Sequence, residues 1–328
     1  MSGATMNLMM PGMSLGMVPV AGCVFTQGDA ALDAELGTNY GERQVEVDSF
    51  VMQETPLTIG QMNVYRKSEP RRYGVIGVDP EDGVRYLLAR GRTSNETSMD
   101  ELPLFADKPV EVANLVKLGG GRPIEIIPPI DWLNDLAEPF RRPSHPAVRL
   151  SVFDTLGIAT YLNQQAVAFR ARFGLGVFRL PTRAEQERVM KGPNAKDPKQ
   201  AFKYGTHDGQ ISPDRARYSL NSYNTTGPVD EFAGIVFLGG IIYGLAGNVC
   251  EWCSDRWAAS YDKSPDEKPI KNPKGPKTGD FNAIGGGSYR SSVQMDLRSA
   301  YVNGIDPYIR DEAIGARLVA AVLPQDPK

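Results

Sequence analysis

The sequence is short of the side chains on which most redox and metal enzymes depend. Its 328 residues include only 3 Cys and 2 His. Three cysteines cannot build a disulfide framework, so reduced assembly in a cytoplasm is expected. His145 and His207 have no second histidine nearby, so a zinc or iron site would have to borrow carboxylates and thiols. No apolar run reaches the length of a membrane span, and no membrane insertion is expected. Net charge is −3, without the basic excess of a nucleic-acid-binding chain. The opening MSGATMNLMMPGMSLGMVPVAG has no basic n-region, and Pro11 interrupts its apolar run, so no secretory signal is expected.

What is present is ordinary in bulk and irregular in pattern. Apolar residues make up 41% and charged residues 23%, enough for a sizeable core. The 34 Gly and 25 Pro imply many turns. Residues 1–20 read as a flexible tail or as a segment that orders on a partner. Met6, Met9, Met10, Met13 and Met17 would give the latter a soft apolar surface for homo-oligomerisation or another partner. Residues 21–328 read as one domain. An insertion at about 70–140 carries its own short strands, and a distinct C-terminal segment spans 285–321.

The pattern is α+β. Ala21–Phe25 and Arg43–Met52 have the partial alternation of strands. Thr58–Tyr65 reads as a short helix. Asp154 opens a helix whose apolar residues, Leu156, Ile158, Ala159, Leu162, Ala166 and Phe169, repeat at helical spacing until Gly174. Thr182 and Glu185 form a capping box for a second helix ending at Gly192. Asn248–Trp252 and residues 314–322 read as strands, joined by long loops.

Candidate chemistry is sparse. Cys250 and Cys253 form a C-x-x-C, but in a strand their Cα atoms would lie about 10 Å apart. A disulfide tolerates roughly 7 Å. They read as small buried hydrophobes, and Cys23 as core. Gly285-Gly286-Gly287 lacks the Lys-Ser/Thr and following helix of a phosphate loop, and reads as a tight backbone crossing. No nucleophile elbow with a triad partner is visible.

Three motifs in order carry a family resemblance. Phe178–Glu187 (FRLPTRAEQE), Tyr243–Asp255 (YGLAGNVCEWCSD) and Gly286–Tyr289 through Arg317 resemble the formylglycine-generating-enzyme (sulfatase-modifying factor) branch of the C-type lectin fold. Val45–Tyr65 resembles its early strand and helix. The oxidases of that family use a copper-binding cysteine pair just after GGSY. Those places hold Ser291 and, near the second, Asp296, and no Cys follows Cys253. The resemblance therefore implies a non-catalytic relative. A calcium loop in some members needs an Asp or Asn where Gly244 stands, leaving mainly the carbonyls of Leu245, Gly247 and Val249; no cofactor is expected, with calcium the one alternative.

The ending Ile314-Gly315-Ala316-Arg317, with Arg298-Ser299-Ala300 upstream, is similar to variable proteins of diversity-generating retroelements, including phage tropism determinants. That resemblance implies a fixed frame of Gly285–Ser288, Arg298, Ala300 and Gly315–Arg317. Its arginines would tie loops down through several carbonyls. Around it would lie a solvent-facing ligand surface made of Tyr289, Arg290, Ser291, Ser292, Gln294, Tyr301, Asn303, Gly304, Tyr308, Ile309, Arg310, Asp311 and Ala313. Tyr, Ser, Asn and Gly make adaptable contacts. A protein or glycan receptor is the implied partner, and a phage virion the implied setting; the alternatives are a structural virion or cell-surface component without a variable face, and a divergent formylglycine-generating-type oxidase.

Overall fold

The computed structural model describes residues 5–38, 40–68, 74–78, 85–89, 136–260, 268–292 and 294–324. Its elements run in chain order: β1 Met6–Met10, β2 Met13–Val20, β3 Cys23–Gln27, α1 Ala30–Leu36, β4 Arg43–Val47, β5 Phe50–Gln53, α2 Ile59–Ser68, β6 Gly74–Val78, β7 Arg85–Ala89, α3 Val152–Gln165, α4 Val167–Phe173 and α5 Arg183–Met190. Then come β8 Ile235–Phe237, β9 Gly240–Ile242, β10 Cys250–Arg256, β11 Ile270–Lys271, β12 Asn282–Gly285, β13 Asn303–Ile305, β14 Ile314–Gly315 and β15 Val319–Ala321.

One sheet, ordered β1-β2-β5-β15, divides the core in two. Alternation along β2 sends Met13, Leu15 and Met17 to one side, where they meet Leu156, Phe178 and Trp252. Val18 and Val20 go to the other side, against Phe25, Val45, Val189 and Ile242. A second sheet, β13-β12-β10-β14, lies mostly in the C-terminal third. Trp252 of β10 is fully buried, and its indole N–H donates to the Leu150 carbonyl at 2.6 Å. That bond satisfies the one polar atom of the largest core side chain.

Several expectations need correction. Residues 6–20 are not a tail. They form the β1–β2 hairpin, with Met6 paired to Met17 and β2 paired to β5. The methionines that suggested a partner surface mostly fill the protein's own core; Met9 is 71% exposed. Five α-helices occur among the described residues: the three expected segments, the long one in two pieces, and α1. The expected long helix starts at Val152, because Ser151 is its N-cap and Asp154 closes a capping box. It breaks at Ala166 into α3 and α4. Gly174 ends α4 in the left-handed conformation (φ 63°). The Thr182–Glu185 capping box is present as read.

The run at 43–52 is two strands, and 314–322 is also two. The second interruption, Ala316-Arg317-Leu318, exists because Arg317 turns inward. Of the insertion at about 70–140, the antiparallel pair β6–β7 is described. The apolar run 123–127 lies outside the described residues.

Candidate binding face

The register of the second sheet places the C-terminal segment. Glu251 pairs with Gly285, Ile284 with Asn303, and Cys250 with Ile314. The loop from β12 to β13 and the approach to β14 therefore share one end of the sheet. Residues 306–310 cross back from the opposite end of β13 along the start of α3, where Val152 N–H donates to the Pro307 carbonyl.

The frame is built from backbone crossings and buried charge. Gly286 and Gly287 have φ of 89° and 65°. A Cβ on Gly287 would lie 2.6 Å from Leu297 Cδ2 and 2.9 Å from the Asp296 carbonyl oxygen. Only glycine combines that backbone with that space. Arg317 is fully buried and ion-paired with Glu251 at 2.9 Å. It also donates to the carbonyls of Gln53, Glu54, Tyr243 and Gly244. Arg298 is buried too, but binds carboxylates rather than carbonyls: Glu35 at 2.9 Å and Asp29, the N-cap of α1, at 3.6 Å.

The expected surface residues separate into three groups. Arg290, Ser292, Gln294, Asn303, Tyr308 and Ile309 are exposed. Tyr301, Gly304, Arg310 and Asp311 are half-buried. Tyr289, Ser291 and Ala313 are buried, which corrects their assignment to the surface. The left-handed glycines turn Tyr289 inward, its N–H donating to the Asn248 carbonyl and its ring 5.8 Å from Phe140. Ser291 accepts the Ser288 N–H at its Oγ, and its carbonyl accepts the Ser219 N–H. The Ala313 carbonyl accepts the Cys250 N–H at the start of the β10–β14 pairing.

Arg290 spans the rim, pairing with Asp311 at 2.8 Å and Glu312 at 3.3 Å; Arg149 joins Glu312 at 2.6 Å. Arg310 is a tie rather than a free cation. It holds both oxygens of Asp154, the capping acid of α3.

Beneath the rim, Ser291 and Asp296 stand where the resemblance places the cysteine pair. Burial raises the Asp296 carboxyl, opposed by the Ser291 and Tyr301 hydroxyls. Burial, reinforced by Asp296 and Cys250, raises the Tyr301 phenol. Cys250 keeps part of its surface open, yet its thiol is pushed up to about 12, chiefly by burial. Cys23, expected in the core, is half-buried.

The Gly244 and Tyr243 carbonyls and the Glu251 carboxylate are already directed at the Arg317 guanidinium, a cation carried by the chain itself.

Sequence reasoning missed Arg149 and Glu312 in the rim network, and it missed the loop at 219–224. That loop is hydrogen-bonded to the face through Ser219 and presents Leu220 and Tyr223 at 70% and 94% exposure. Tyr223 has φ 50°, a left-handed backbone that nothing in its sequence signals.

The short-stranded α+β architecture with its buried glycine–arginine frame is a C-type lectin fold of the formylglycine-generating-enzyme type. The sequence matches the sulfatase-modifying factor enzyme 1-like domain over residues 9–322, and the chain belongs to that family. It is 30% identical to a formylglycine-generating enzyme of Thermomonospora curvata over 161 residues, covering 45% of this chain and 46% of that one. The match thus spans about half the length of that relative. Variable protein 1 of Treponema denticola has a similar structure, with TM-score 0.58 at 16% identity, covering 96% of this chain and 98% of that chain. PvdO of Pseudomonas aeruginosa gives TM-score 0.56 at 19% identity, covering 96% and 100%.

Proposed function

We propose that this protein is a non-catalytic binding protein that displays a variable ligand surface on its lectin-type scaffold, in the manner of diversity-generating retroelement proteins. The observation that carries the reading is the division of one segment into two populations. Gly285–Ser288, Arg298, Ala300 and Gly315–Arg317 are buried. Between them, Arg290, Ser292, Gln294 and Asn303 stand exposed at the same end of one sheet. A frame that does not depend on its filling tolerates changes in the filling. A protein or glycan receptor is the proposed partner, and a phage tail or virion the proposed setting. Exposed Tyr308 and Tyr223 would act as amphipathic anchors.

A second reading, a divergent oxidase, is favoured by the identity to formylglycine-generating enzymes. It requires thiolate chemistry at a site that holds Ser291 and Asp296.

The test is to sequence codons 285–321 and the flanking DNA across a population carrying the gene. Substitutions should concentrate at Arg290, Ser292, Gln294, Asn303, Tyr308 and Ile309 and spare Tyr289 and Gly315–Arg317. A segment without variation, and without a nearby repeat, would sink the diversification reading.

A further inference from the structure

Asn303 and Gly304 form the one Asn-Gly dipeptide of the chain. They lie on β13, an edge strand of the second sheet. Asn303 is exposed. The Gly304 N–H is directed at Asn303 Oδ1, 2.8 Å away, which brings the backbone nitrogen beside the side-chain amide carbon. Glycine at 304 leaves that nitrogen unshielded by any side chain. Glycine is also required there: a Cβ would lie 2.5 Å from Trp257 Cδ2. The packing on Trp257 therefore holds glycine at 304, where an exchange to alanine would otherwise shield the nitrogen.

We infer that Asn303 is a site of spontaneous covalent modification, by cyclisation onto Gly304 and hydrolysis to aspartate and isoaspartate. The Gly304 nitrogen loses its proton to solvent base and bonds to Asn303 Cγ. The Cγ–Nδ2 bond breaks, and the nitrogen leaves as ammonia. Water then opens the five-membered imide at either carbonyl, giving aspartate or its backbone-shifted isomer. Water is the one co-reactant, and no electrons are exchanged. The product replaces an exposed neutral amide with a carboxylate. The isomer also lengthens β13 by one backbone atom where it packs on Trp257. The inference stands on the geometry of the dipeptide and survives if the binding reading fails.

The test is to incubate the folded full chain at mildly alkaline pH, digest it, and follow each asparagine-containing peptide by mass spectrometry, with ion exchange reporting the new acidic species. Asn303 should convert about tenfold faster than Asn221 in the same sample, equivalent to about 1.4 kcal/mol in barrier. Asn221 is the comparison because its amide is held by the Pro213 and Ala216 carbonyls. Asn303→Gln, which keeps an amide but disfavours the five-membered ring, should abolish the acidic species. Conversion at Asn303 no faster than at Asn221 would overturn the inference, as would an acidic species that persists in Asn303→Gln.

Discussion

Arg317 and Glu251 form a buried ion pair that ties the two sheets together. The guanidinium Nε and Nη2 lie 3.0 and 2.9 Å from the Glu251 carboxylate oxygens, and the two side chains are 0% and 2% exposed. Glu251 belongs to β10, and the Gln53 carbonyl that Arg317 also reaches belongs to β5. A buried pair contributes little net stability when intact, but losing one partner strands the other charge. Arg317→Met should therefore cost about 3–5 kcal/mol. Arg290→Ala, which breaks the exposed pair with Asp311, should cost about 0–1 kcal/mol. Urea midpoints of the two variants measure the contrast; equal losses would mean that the frame is not where the stability lies.

The same contrast is expected within four consecutive residues. Tyr289→Ala should cost about 3–5 kcal/mol through the cavity it leaves. Ser291→Ala should cost about 1–3 kcal/mol, because the buried Ser288 N–H loses its acceptor. Ser292→Ala, at an exposed position, should stay within about 0.5 kcal/mol. Thermal melts of the three variants would show a steep–steep–flat order if the burial pattern is right.

That order also shows where the sequence was legible. Capping at Thr182 and Glu185, the paired strands and the glycine–arginine frame follow from local chemistry or from motifs, and each is present in the fold. Tyr289 and Ser291 were misplaced because no period runs through 288–294. Their burial is set by the left-handed turns at Gly286 and Gly287, not by side-chain alternation. The β1–β2 hairpin was missed because Pro11 read as a break in an apolar tail, although with Gly12 it makes the turn between two strands. Asp154 looked like a helix start because both members of a capping box are good helix openers. The tie from Arg310 to Asp154 spans 156 residues, and no local pattern encodes it.

Asp255 makes stability depend on pH. It is buried on β10 and accepts the Arg183 N–H at the start of α5 at 2.8 Å. Burial, with the Glu185 carboxylate nearby, pushes its carboxyl up to about 7 from an ordinary 3.8. The folded state thus holds this proton more tightly than the unfolded chain. Its contribution is fully present below about 3.8 and is lost as pH rises through about 7. Asp255→Asn keeps an oxygen acceptor for Arg183 without the charge. The variant should gain on the wild type as pH rises across that window, read from urea midpoints. Parallel pH curves would show that Asp255 is not the group responsible.

Tyr223 is held in a conformation that an L side chain disfavours. Its φ is 50°, and Asn224 follows at 58°. The loop is fixed by Asn221, which accepts the Tyr218 N–H, and by Arg217, which donates to the Ser222 carbonyl. Tyr223→Gly should be more stable than Tyr223→Ala by about 1 kcal/mol, the cost of a left-handed non-glycine residue. Equal stabilities would mean that the loop relaxes in solution and that the tyrosine is not rigidly presented.

Cys250 separates the binding reading from the oxidase reading. Its thiol is pushed up to about 12 from 9.0, first by burial and then by the Asp296 carboxylate. The thiolate is the form that attacks electrophiles and binds soft metals. At neutral pH its population should be about a thousandfold below that of an unperturbed cysteine. Iodoacetamide should therefore label Cys250 in the folded protein far more slowly than in urea, and copper(I) titration should give no tight site involving it. Rapid labelling of the folded protein, with copper protecting against it, would show a reactive thiol beneath the C-terminal face. The oxidase reading would then displace the binding one.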